Sequence, residues 1–156
     1  MRTSSPTDLL DAIAAEAAAE SPLWAEALRD EPAREGVFGP LVPERFALGV
    51  ETIYEGYLVH YGRPRIFAPP DDDVALLLGD YLYAHGLVRI AATGEVDAVA
   101  ALAELISTCA HLRAEEAAGD GEAWIGAVRR LGGDPDGAGL ERSLASHTSR
   151  LDKLAP

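Results

Sequence analysis

Apolar residues recur every three or four positions along most of this chain, and no run alternates with the period of two that marks a strand. Leu9, Leu10, Ile13 and Ala17 form the first such stripe. Ser5 ahead of Pro6 can cap that helix, and Asp8 stands at the reciprocal capping position. Ser21-Pro22 repeats the start signal for a short helix carrying Leu23, Trp24 and Leu28. Pro32, Gly36, Gly39 and Pro40 make residues 31–42 a loop. Pro43 then restarts a helix with Phe46, Val50, Ile53 and Tyr57 on one face, and Gly62-Arg63-Pro64-Arg65 ends it.

After Pro69-Pro70, Asp71, Asp72 and Asp73 place negative charge at the start of a helix running to about Ala92. This helix is apolar almost all round and is interrupted by Asp80, His85 and Arg89. It is therefore expected to be enclosed by other helices and not to span a membrane, where those charges would be costly. Gly94-Glu95 separates it from a long helix, Val96 to Ala118, and Gly119-Asp120-Gly121 precedes a shorter one around Trp124, Val128 and Leu131. Gly132 to Gly139 is the last loop and Leu140 to Leu154 the last helix. The expectation is all-α: an antiparallel bundle of about seven helices with short connections, forming one domain over residues 1–156.

Charge narrows the partners. With 26 acidic residues against 13 basic ones the net charge is -13, which argues against nucleic acid or an anionic membrane surface as a bulk electrostatic target. Cys109 is the only cysteine and lies in an apolar helical stretch, so it reads as an inert core residue of a protein in a reducing, cytoplasmic compartment. The N-terminus turns amphipathic and acidic without a central apolar block, so no secretory signal is expected.

Candidate chemistry is sparse. Consecutive aspartates at 71–73 fan out about 100° apart on a helix, and positions 75–77 are Ala, Leu and Leu, so the cluster has no carboxylate partner one turn on. Glu44, Glu51 and Glu55 share one stripe, which is either a solvated face or one wall of a magnesium site. A magnesium site would need an acidic helix opposite, with Asp80, Glu104 or Glu115 as donors; Glu51, Glu55 and Asp80 are the metal candidates. The four histidines fall one per helix with no zinc-type pair, no serine lies on a Gly-flanked elbow, and no Gly-rich phosphate loop occurs. No catalytic residue or resident cofactor is assigned. Arg63 and Arg65 flank Pro64 close to His60 and Tyr61. These four could meet an anion or a partner's carboxylates, or the arginines could pair with Glu55 and the aspartates that follow.

The stretch from Leu76 to Ala84 (Leu-Leu-Leu-Gly-Asp-Tyr-Leu-Tyr-Ala), then Gly94-Glu95-Val96 and the run Ala101 to Glu115, resembles the middle of the trans-isoprenyl diphosphate synthases, the polyprenyl synthetases. Gly79, Asp80, Tyr81 and Leu82 carry its most specific part, and Glu55 to Arg63 looks like a worn version of the preceding helix and its basic exit. The resemblance implies an isoprenoid-synthase-like bundle. Enzymes of that family grip magnesium and an allylic diphosphate with two Asp-Asp-x-x-Asp motifs on facing helices, and this chain has neither. Tyr57-Leu58-Val59-His60-Tyr61 stands where the first should lie, and no Asp-Asp pair follows Asp80. Asp80 matches the family's Gly-Asp, which is not a magnesium ligand. Without the metal the departing diphosphate lacks its main stabilisation. The resemblance thus implies a non-catalytic protein, either a homodimeric pseudoenzyme or an accessory subunit of a catalytic prenyl diphosphate synthase. Two alternatives remain at this point: a lipid- or isoprenoid-binding bundle with Tyr54, Tyr57, Tyr81 and Tyr83 lining its cavity, and a small magnesium-dependent lyase or cyclase using Glu51, Glu55 and Asp80.

Overall fold

A computed structural model describes residues 6–151. Seven α-helices are seen among them: α1 (Pro6–Glu20), α2 (Pro22–Glu26), α3 (Glu44–Tyr61), α4 (Asp72–Ala91), α5 (Val96–Ala114), α6 (Asp120–Arg130) and α7 (Gly137–Leu151). The Ser5 and Asp8 capping interactions, and any continuation of α7 toward Leu154, lie outside the described residues. No strand is present among the described residues beyond one antiparallel bridge between Leu28 and Phe67.

Local chemistry sets the helix ends. Asp71 caps α4 by accepting a hydrogen bond from the Val74 amide at 2.9 Å, the helix-start use expected of the aspartate run. Ser21 does the same for α2 through the Leu23 amide. α5 ends at Ala114, earlier than its alanine-rich sequence suggests. The Ala117 amide reaches back to the Leu112 carbonyl and the Glu116 amide to Arg113, closing a Schellman turn. Glu116 occupies its left-handed position at φ 53°, and Gly119 at φ 131° turns the chain into α6.

α3 is the centre of the molecule. Every residue from Val50 to Val59 is buried, although the sequence there reads as amphipathic. One core packs Phe38, Phe46, Tyr54 and Tyr57 against Leu102, Leu105 and Trp124 of α5 and α6. A second, smaller core joins Leu10, Ile13 and Trp24 of α1 and α2 to Val59, Phe67, Leu78 and Leu82.

The closest helix pair is α3 with α4, and glycine makes it possible. A Cβ at Gly49 would lie 2.5 Å from Ile90 Cδ1 and 3.2 Å from the Gly86 carbonyl oxygen; one at Gly56 would lie 3.0 Å from the Gly79 carbonyl oxygen. Gly49 therefore faces Gly86 while Gly56 faces Gly79, an antiparallel register. Each pair is separated by seven residues along its own helix, two turns, so both contacts fall on one line.

The enclosed helix expected at 74–92 is corrected. In α4 the buried residues are Leu78, Gly79, Leu82, Gly86 and Ile90 alone. Leu76, Leu77 and Val88 are 57%, 56% and 63% exposed. The reason is steric: α4 lies so tightly on α3 through its glycines that one face is fully used, and among the described residues no other helix crosses the opposite face.

Candidate functional site

Glu51 and Glu55 point inward from α3, where no solvated face exists; both carboxylates are fully buried. Arg65, equally buried, enters between them from the loop after α3. Its guanidinium lies 2.6 Å from Glu51 Oε1 and 3.0 Å from Glu55 Oε1. The remaining lone pairs are also used. Glu51 Oε2 accepts from the Val37 and Gly39 amides, each at 2.8 Å, and Glu55 Oε2 accepts from the Ile66 amide at 2.8 Å. Arg65 further donates to the Glu35 and Glu51 carbonyls. The triad thus fastens two loops, before and after α3, to the central helix. The two flanking carboxylates hold the guanidinium in its charged form against the burial that opposes it, and its pKa rises.

Asp80 stands apart from these two. It is exposed on α4 and pairs with His60 Nε2 at 3.2 Å. That contact explains Gly79, since a Cβ there would lie 2.4 Å from the same imidazole nitrogen. Gly79 and Asp80 therefore have packing and pairing roles against α3. Leu82 is buried in the smaller core, and Tyr81 lies against Trp24 and His85. Among the described residues no three His, Cys, Asp or Glu side chains gather as metal ligands. Glu51, Glu55 and Asp80 do not converge.

The basic loop is split. Arg65 goes into the core, while Arg63 is exposed and donates to the Ser149 carbonyl of α7. His60 is directed at Asp80, and Tyr61 packs edge-on to Tyr57 with ring centroids 5.3 Å apart. The four residues do not form one pocket. Of the tyrosines, Tyr54 and Tyr57 are buried in the main core, stacked on each other and packed by Phe38, Trp124 and His147. Tyr83 is half-buried against His60.

A second buried polar cluster carries no motif. Tyr57 donates its hydroxyl hydrogen to Asp120 Oδ2, and Arg113 closes on the same carboxylate at 3.0 Å. Burial, then the Asp120 carboxylate, pushes the Tyr57 hydroxyl upward. His147 Nδ1 lies 2.9 Å from the Tyr54 hydroxyl. In sequence Asp120 reads only as part of a Gly-Asp-Gly separator and His147 as one of four histidines that fall one per helix; nothing in their spacing announces a contact over 63 and 93 residues. Nearby, burial pushes the Cys109 thiol up to about 12, which leaves it unreactive at neutral pH.

Scans of family models, curated proteins and solved structures find no match to this chain.

His147 supplies a pH prediction. Burial lowers its pKa from 6.5 to about 4, with the nearby Arg113 cation acting the same way and Asp120 opposing. Below pH 6.5 the unfolded chain binds the proton that the folded chain refuses, so stability should fall as pH drops from 6.5 to about 4. The full effect is on the order of 3 kcal/mol. Urea midpoints measured across that range should show the slope, and His147→Gln should flatten it.

Proposed function

We propose that this chain is a non-catalytic, isoprenoid-synthase-like helical protein that acts by association, and that its primary partner is a second copy of itself. The observation that carries this reading is the uncovered apolar face of α4, with Leu76, Leu77 and Val88 more than half exposed. α5, which packs against α4, exposes a stripe free of charge of its own, Val96, Ala100, Ala103, Ser107, Ala110 and Ala114. A helix of 20 residues is about 30 Å long. Two such helices side by side, about 10 Å each in width, offer a footprint of roughly 600 Å². That is near the lower end of the ~800 Å² per partner of a stable complex, so the pair is expected to be reversible.

Self-pairing is favoured by the positions of the exposed apolar residues along α4. An antiparallel two-fold arrangement sets Leu77 on Val88 of the other copy and Val88 on its Leu77, while Asp80 stays paired with His60 and His85 with Glu16 of α1. Alanines 84 and 91 on the exposed side allow close approach. The non-catalytic part of the reading is supported by the missing aspartate motifs and by the engagement of Glu51 and Glu55 with Arg65. Alone among the described helices, α4 is also long and apolar enough to cross a membrane, by length and composition. Asp80, His85 and Arg89 on it weigh against that use.

Sedimentation equilibrium over a wide concentration range tests the proposal. The wild type should dimerise, and the double variant L77D/V88D should weaken the dimer by roughly a hundredfold or more, because a buried, unpaired carboxylate costs several kcal/mol. Its thermal melt as a monomer should be unchanged. A wild type that stays monomeric at every concentration would sink self-pairing. If it instead binds a purified prenyl diphosphate synthase or neutral lipid vesicles through the same face, the partner changes from a second copy to that occupant. Robust magnesium-dependent prenyl transfer by the isolated chain would overturn the non-catalytic reading.

A further inference from the structure

The positive charges of this acidic chain are unevenly spent. Of the eleven arginines among the described residues, six form ion pairs with carboxylates: Arg34, Arg45, Arg65, Arg89, Arg113 and Arg130. Three of the remaining five, Arg63, Arg142 and Arg150, line a single open groove of about 490 Å³ together with Ser146, Ser149 and Glu35. Acidic residues outnumber basic ones two to one, so three cations gathered without a carboxylate ion pair run against the charge balance of the rest of the surface.

The groove is built from both sides. Arg142, Ser146, Ser149 and Arg150 follow one another at helical spacing along one face of α7. The opposite wall is the loop after α3, and it is latched in place. The Arg63 amide donates to the Arg150 carbonyl at 2.8 Å, and Arg150 Nη1 donates back to the Arg63 carbonyl at 3.1 Å. Gly62 lets the two backbones approach, since a Cβ there would lie 2.6 Å from the Arg150 carbonyl oxygen. One Nη of Arg63 is occupied by Ser149. These contacts account for Arg63 and Arg150 as clamps on the C-terminal end of α7, where cations also suit the helix dipole. They do not account for Arg142, which is exposed, lies near the start of the same helix and has no polar partner among the described residues. Arg150 records the crowding: burial first, then the neighbouring Arg65 and Arg63 cations, lower its pKa.

The geometry points to an oxyanion site in this groove, suited to a small molecule bearing a phosphate or diphosphate. Guanidinium forks from two walls and hydroxyls from Ser146 and Ser149 supply donors from several directions, which matches a tetrahedral group better than a planar carboxylate. Arg63 and Arg150 are already held by their mutual latch, which reduces the ordering cost of binding. Glu35, the sole carboxylate on the lining, makes no ion pair with the three arginines and opposes the bound anion. The site shares no residue with the α4 face and stands or falls independently of self-pairing.

Calorimetric titration of the full chain with inorganic diphosphate in low salt tests it. One saturable site is expected. Loss of a charge-assisted hydrogen bond in Arg142→Gln should weaken binding roughly ten- to a hundredfold. Glu35→Gln should strengthen it. Both variants change exposed side chains and should melt with the wild type. Absence of binding overturns the assignment, as does binding that neither substitution alters. A tricarboxylate of similar charge that binds as tightly as diphosphate would overturn the phosphate preference.

Discussion

Replacing Arg65 with alanine should lower the free energy of unfolding by about 3–5 kcal/mol, a large share of the 5–15 kcal/mol typical of a domain. The substitution would leave two fully buried carboxylates, Glu51 and Glu55, facing each other's charge without a cation. It would also release the loop carrying Glu35, whose carbonyl accepts from the guanidinium. Lysine should rescue little, because a single ammonium cannot reproduce the spread of contacts to both carboxylates and two carbonyls. The combined replacement Glu51→Gln, Glu55→Gln and Arg65→Met should cost less than Arg65→Ala, because no uncompensated charge remains buried. Urea denaturation followed by circular dichroism measures all three. A loss of under about 1 kcal/mol for Arg65→Ala, the range of an exposed pair, would contradict the burial of the triad.

The seam between α3 and α4 carries the second large effect. Alanine in place of a mid-helix glycine ordinarily stabilises by about 1 kcal/mol. At Gly86 the sign should reverse. Its Cβ would stand 2.4 Å from Ile53 Cγ1, 3.1 Å from the Gly49 carbonyl oxygen and 3.2 Å from the Ile53 amide nitrogen. The side-chain atom can move, but the two backbone atoms belong to the central helix and cannot give way without shifting α3. Overpacking of this kind costs about 1–3 kcal/mol, and valine should cost more than alanine. Gly126 in α6 is the matched control, with nothing within 4 Å of its Cβ position. There alanine should stabilise by up to about 1 kcal/mol. Thermal melts of Gly86→Ala and Gly126→Ala moving in the same direction would refute the close approach of the two helices.

Helix positions and most of their ends were legible in the chain. Asp71, Ser21, Pro22 and Pro43 act within a turn or so of their own backbone, so their effect does not depend on the rest of the fold. The end of α5 was less legible. Glu116 adopts a left-handed conformation that glycine or asparagine usually takes, and the alanines after it give no stop signal. Of the two uses open to Arg65, the structure shows pairing with Glu55. Glu51 as its other partner, and the loop amides that complete the site, come from chain segments that no spacing rule brings together.

What short-range physics determined is a set of seven helices, their caps and a stripe of glutamates on α3. Tertiary packing decided which helix lies at the centre, and it inverted the expectation from polarity. The amphipathic α3 is buried because Arg65 and backbone amides satisfy its carboxylates from outside the helix. The more apolar α4 stays half open because its glycines commit one face to α3 and nothing in the described chain covers the other. Hydrophobicity along a sequence states how much surface a helix would gain by burying; only the placement of distant charges and small residues settles which surface it is.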